Sequence, residues 1–101
     1  MTILATAYSD PAREAHWGVL THGTGDHEPM VYKIRYGEGR VFGTAMGHVD
    51  GGAPVGSGRW PAIDCVGFVT LIQRGAEWAA TGEVTQAVPE TFPTAGKASL
   101  R

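Results

Sequence analysis

The clearest pattern in the chain runs from Met30 to Asp50, MVYKIRYGEGRVFGTAMGHVD. Met30, Tyr32, Ile34 and Tyr36 alternate with Lys33 and Arg35, the period-2 pattern of a strand with two different faces. Gly37 and Gly39 bracket Glu38 and supply the positive φ that a tight reversal needs. Arg40 to Met46 carries apolar or small residues on both faces, which predicts an interior strand. Pairing Tyr36 with Arg40 would set Met30 opposite Met46 and Glu28 opposite His48. His27 and Glu28 would then meet His48 and Asp50 at the open end of the hairpin.

Upstream, Thr2 to Tyr8 is a short apolar stretch that reads as a strand stopped by Ser9-Asp10-Pro11. Ala12 to His22 holds one helical turn at most, and His22 to Pro29 is a loop. Val49 to Trp60, with four glycines and a proline, predicts a second long loop. Pro61 to Thr81 predicts the chain's long helix, with Pro61 in its first turn and Gly82 as its C-terminal cap. Cys65, Val69, Ile72, Ala76 and Ala79 recur at helical spacing, widened by Phe68, Leu71 and Gly75. Thr70, Gln73, Arg74, Glu77 and Thr81 form the polar side, with Arg74 and Glu77 spaced to pair. Beyond Gly82, two prolines and alternating Val and Thr predict an extended segment lying on the surface.

Composition narrows the class of protein. The 101 residues make one domain or part of one, residues 1–101, with a modest core. A net charge of −2 with scattered Lys and Arg argues against nucleic acid or an anionic membrane as the main partner. No apolar run approaches the roughly 20 residues that span a bilayer, and MTILATAYSD lacks the features of a secretory signal. Cys65 is the single cysteine, so no internal disulfide or CxxC site exists, and a reducing, cytoplasmic setting is expected. Two long loops are unusual in so small a domain. The expectation is a portion of a larger fold, or a short chain that completes itself by homo-oligomerisation, since an exposed apolar edge and face favour a dimer.

In order along the chain, ATAYSD, GTGDHEPM, YGEGRVFGTAMGH, CVGF, QRGAEWAATG and VPETFPTAGKASLR resemble the C-terminal half of trehalose-utilisation (ThuA-like) domains. Only Ala12 to His22 and Ala53 to Ile63 fall outside the likeness. The resemblance implies an α/β fold, part of the flavodoxin-like, three-layer architecture of the class I glutamine amidotransferases. This chain would supply a small sheet with a β-hairpin and one long C-terminal helix. It also implies a role in carbohydrate metabolism. In the related amidotransferases a catalytic cysteine follows an earlier strand, absent here, while His48 after Thr44-Ala45-Met46-Gly47 resembles the placement of their catalytic histidine. A histidine without that nucleophile cannot carry out amidotransferase chemistry.

Each candidate residue has a plainer alternative. His48 follows a strand at the end of a sheet where ligands gather in α/β folds, or it fixes a turn through a carbonyl. Glu28 and His48 suit acid–base work on a sugar hydroxyl, with His27, Asp50, Asp10 and Trp60 as substrate-binding residues. Zn²⁺ held by two imidazoles and a carboxylate is a weaker reading, because no HxH or HExxH spacing supports it, and no metal is expected. The cofactor, and whether any reaction occurs, stay open. Alternatively Glu28 pairs with Arg40 or caps loop N–H groups, Asp10 is a turn residue, and Cys65 is a small core hydrophobe. On the first reading the chain binds or processes a sugar-like ligand near His48; on the second it is a noncatalytic binding or assembly module.

Overall fold

The computed structural model describes residues 1–13, 22–47 and 60–101. It is a mixed α/β structure: strands β1 (Thr2–Tyr8), β2 (His27–Tyr36) and β3 (Gly39–Thr44), then helices α1 (Pro61–Asp64) and α2 (Val66–Thr81). The three strands form one antiparallel sheet in the order β1-β2-β3. The expected strand at Thr2–Tyr8, the hairpin and the Gly82 cap are all present. Gly82 adopts φ 87°, and its N–H donates to the Trp78 carbonyl at 2.8 Å.

The hairpin register differs from the sequence reading by one residue. Tyr36 pairs with Gly39, not Arg40. Only Gly37 and Glu38 then remain in the turn, and Gly37 takes φ +58°. Two-residue loops with a positive φ at their first position match the twist of the flanking strands. Tyr32 therefore lies opposite Gly43, and Ala45 N–H reaches the Met30 carbonyl at 2.9 Å. The expected Met30–Met46 and Glu28–His48 pairings are displaced accordingly. β3 is also an edge strand of this sheet and not an interior one.

The predicted helix of 61–81 is broken at Cys65, whose backbone is extended (φ −63°, ψ 121°). The break is held by the C-terminal segment, which the sequence pattern treats as separate. Val66 N–H donates to the Ser99 carbonyl at 2.9 Å, and Arg101 N–H to the Asp64 carbonyl at 3.0 Å. Asp64 completes the join: its carboxylate accepts from Trp60 N–H at 3.2 Å and stands 3.7 Å from Arg101 Nε.

The face that α2 turns to the sheet is rotated from the expected stripe. Gly75 is buried there, Thr70 is buried as well, and Gly67 is buried against Pro93 of the tail, while Ile72 and Ala76 are exposed. Gly75 is placed for close approach: a Cβ there would lie 2.2 Å from the Phe42 ring. Thr70 can be buried because its hydroxyl donates to the Val66 carbonyl at 2.7 Å, leaving no unpaired polar atom. Arg74 and Glu77 do not pair with each other. Both turn to the extended tail, Arg74 donating to the Gln86 carbonyl and Glu77 accepting from Thr85 and Gln86.

Lys33 and Phe42 point toward α2, with Lys33 Nζ 5.5 Å from the centre of the Trp78 ring. Arg40, on the same face, donates to the carbonyls of Trp78 (3.1 Å), Ala79 (3.1 Å) and Ala80 (2.9 Å). The last turn of α2 has no basic residue of its own, so the hairpin supplies the cation that the helix C-terminus favours. Between the layers lies a mostly apolar cleft of about 240 Å³, bounded by Leu4, Lys33, Phe42, Leu71, Arg74 and Trp78 among others. Val31, at 2% exposure, is the most buried apolar side chain described.

Candidate functional site

The chemistry-bearing side chains converge where β1 ends and β2 begins. Pairing of Ala7 with Glu28 and of Tyr8 with His27 brings the Ser9-Asp10 turn against the Thr24–Asp26 loop. Ser9 N–H donates to the Asp26 carbonyl (2.9 Å), and Gly25 N–H to the Ser9 carbonyl (2.8 Å). The Ser9 hydroxyl accepts from Thr24 N–H at 3.1 Å. Gly23 makes this approach feasible, since a Cβ there would stand 2.4 Å from the Asp10 carbonyl oxygen.

Glu28 is oriented by Thr24, whose hydroxyl donates to Oε1 at 2.6 Å. Among the described residues its other carboxylate oxygen has no side-chain partner, and the expected alternative of an Arg40 pair does not form because Arg40 is committed to α2. His27 points to the opposite side of β2. Its Nδ1 stands 3.3 Å from the Thr6 hydroxyl, and its ring centre lies 5.4 Å from that of Tyr8 at a tilt of 52°. Adjacent strand residues face opposite ways, so His27 and Glu28 do not share one pocket. Asp10 is a turn residue: its carboxylate accepts from Ala12 N–H at 2.9 Å.

Trp60 sits at the N-cap of α1, half-buried. His48 and Asp50 lie outside the described residues, as do His16 and Trp17. The chain leading to His48 is described as far as Gly47, which has φ +91° and lies against the Phe68 ring. Beside it opens an apolar cleft of about 400 Å³ lined by Met46, Gly47, Cys65, Phe68, Phe92 and Pro93. Cys65 therefore borders a cleft at the helix break and is half-buried, not packed on a continuous helix face. Among the described residues no three His, Cys, Asp or Glu side chains come together as a metal cluster, and no helix is long and apolar enough to cross a membrane.

Sequence reasoning missed Thr24 and Ser9. Both are small hydroxyl residues in loops, a placement far too common to single out. Their role depends on the β1–β2 register, which brings residues 15 apart in the chain to hydrogen-bonding distance.

One titration in the described structure is clearly displaced, and it is remote from this site. The Thr85 hydroxyl, then the Thr85 and Gln86 N–H groups, hold the Glu77 carboxyl below the usual glutamate range, with a smaller contribution from Arg74.

Comparison with known proteins adds the remaining evidence. No family model matches the chain, and no curated protein does. Among solved structures, it is similar to the 1.75 Å crystal structure of a "Putative thua-like protein" from Parabacteroides merdae ATCC 43184. Identity is 42% with a TM-score of 0.77, over 100% of this chain and 32% of that one, so the chain spans about a third of its neighbour's length.

Proposed function

We propose that the chain is the C-terminal half of a ThuA-like domain and binds a carbohydrate at the end of its sheet, in the service of trehalose-type sugar utilisation. The observation that carries this reading is the Glu28 carboxylate, oriented by Thr24 at the mouth of the β1–β2 end with one oxygen left for a ligand. The remaining oxygen suits acceptance from a sugar hydroxyl, and acts as a base where that hydroxyl must lose a proton. His48 and Asp50, in the segment that follows Gly47, are the proposed partners. The antiparallel sheet then forms the margin of a larger flavodoxin-like, three-layer fold of the class I glutamine amidotransferase type.

Titration of trehalose and glucose into the chain, followed by protein NMR shifts, tests the proposal. Saturable shifts at Thr24 and Glu28 are expected, with affinity falling about tenfold in Glu28→Gln for loss of a charged hydrogen bond. Unchanged affinity in Glu28→Gln and His48→Ala, or no shifts at all, would remove the sugar site.

One observation favours the second reading, a noncatalytic binding module. His27 and Glu28 lie on opposite faces of β2, so they cannot act as an acid–base pair on one ligand. Retained sugar binding with no turnover of any tested glycoside would decide for it.

A further inference from the structure

Two cations on the helix-facing side of the sheet lack a partner of opposite charge. Like charges directly across a strand pair are destabilising, yet Arg35 pairs with Arg40, and Lys33 lies on the same face as Arg35. Arg40 is answered by the three carbonyls that close α2. Arg74, across the cleft, is answered by the Gln86 carbonyl. Among the described residues nothing of the kind answers the other two. The Lys33 ammonium meets only the Trp78 ring, and Arg35 is exposed. The ion pair of the described residues lies elsewhere, between Asp64 and Arg101. Glu77, the only acidic residue of α2, is turned to Thr85 and Gln86.

Both cations border open space. Lys33 and Trp78 form a wall shared by two clefts. One is the apolar cleft of about 240 Å³ between the layers, with Leu4, Phe42 and Leu71 around it. The other, of about 310 Å³, is more polar and is bordered by Arg35 and Thr2.

We propose that these adjoining clefts bind an amphipathic carboxylate, an aliphatic or arylalkyl acid. Its apolar body lies between Phe42, Leu71 and Trp78, and its head group meets Lys33 and Arg35. Charge complementarity selects this class. The cations call for an anion and the apolar walls for a body that leaves water, and one molecule supplies both. Two residues apart on a strand, Lys33 and Arg35 are spaced by about 6.6 Å. Their long side chains can close that gap on one carboxylate, the guanidinium fork and the ammonium each taking an oxygen. A phosphate head suits the place less well. Helix N-termini and their free N–H groups favour phosphate, whereas the helix end beside these cations is the C-terminal one. Glu28 lies on the opposite face of β2 by strand parity, so this binding is separate from the carbohydrate site.

The test is calorimetric titration of the whole chain with octanoate below its micelle concentration, with NMR shifts to locate it. Saturable binding is expected, with shifts at Lys33, Gly75 and Trp78. Octanol and octylammonium should bind at least tenfold more weakly. Arg35→Gln, at an exposed position that the fold does not need, should raise the dissociation constant about tenfold for loss of a charged hydrogen bond. Lys33→Gln should do the same, while Lys97→Gln, which borders neither cleft, should leave it unchanged. Octanol bound as tightly as octanoate would overturn the proposal, since the cleft would then be merely apolar. So would octanoate affinity untouched by Arg35→Gln and Lys33→Gln, tighter binding of octyl phosphate, or no saturable binding. Octanoate binding does not depend on Glu28 or on any sugar, so this proposal and the carbohydrate site stand or fall separately.

Discussion

The junction between α2 and β3 and the sheet end around Glu28 are built in opposite ways. At the junction each contact is close and has several partners: Phe42 against Gly75, Arg40 on three carbonyls, Glu77 on two residues of the tail. At the sheet end the side chains are largely exposed and single bonds hold them, Thr24 to Glu28 and Thr6 to His27. Stability is concentrated where the helix meets the hairpin. Free hydrogen-bonding capacity is concentrated at the other place, as expected if one region holds the fold and the other meets a ligand.

The largest effect should come from filling the gap at the junction with a branched side chain, Gly75→Val. Gly75→Ala removes a helix-interior glycine, a gain of about 1 kcal/mol. The new Cβ would nevertheless stand 2.2 Å from Phe42, and forcing atoms into a packed layer costs about 1–3 kcal/mol. Net destabilisation is expected, greater in Gly75→Val, read as a lower urea midpoint. A rise in stability with Ala would show that the Phe42 contact is loose and the contrast with the sheet end is overstated.

Arg40→Ala should cost about 2 kcal/mol, since three carbonyls of the last helical turn lose a cationic donor. The same chemical denaturation measures it, and Arg40→Lys should recover only part, because an ammonium lacks the planar fork.

Acid should act next. The folded state depresses the Glu77 carboxyl, so its contribution is fully present above the ordinary glutamate range and is lost as pH falls through the lower folded value. NMR shifts of Thr85 and Gln86 should follow that loss, and Glu77→Gln should remove the pH dependence while leaving the sheet intact. The effect belongs to an exposed group and is expected to be modest.

Smallest of all, Thr24→Val should change stability by no more than about 0.5 kcal/mol, an ordinary figure for a surface substitution, while weakening sugar binding through the loss of Glu28's orienting bond. A large loss of stability would make Thr24 part of the framework and erase the distinction between the two regions.

Local chemistry made much of this fold legible. Gly37, Gly82 and Pro61 announce a turn, a cap and a helix start through backbone geometry alone, and the structure has all three. What escaped depends on partners distant in sequence. The helix reads as continuous through Cys65 because its spacing is helical, yet Ser99 and Arg101 bond across that point. The apolar stripe placed Gly75 correctly against the sheet, but it also suggested a buried side at Ile72 and Ala76, whereas Gly67 is buried against Pro93 of the tail. One residue of hairpin register separates the expected alignment from the observed one, and such a slip exchanges faces along a strand. At the candidate site, Glu28 and Asp10 were readable as acidic residues flanking turns. Thr24 and the divergence of His27 from Glu28 were not, since both follow from register and strand parity.

Arg40 has a further consequence for motion. A helix ordinarily frays from its ends, its last amides exchanging with solvent faster than its middle. Here the closing carbonyls of α2 are held by a residue 40 positions away, in a strand. The terminal turn cannot loosen alone without breaking bonds to the hairpin. In deuterium exchange, the amides of Trp78 to Gly82 should therefore share the protection of β3, so that the helix end and the hairpin open as one cooperative unit.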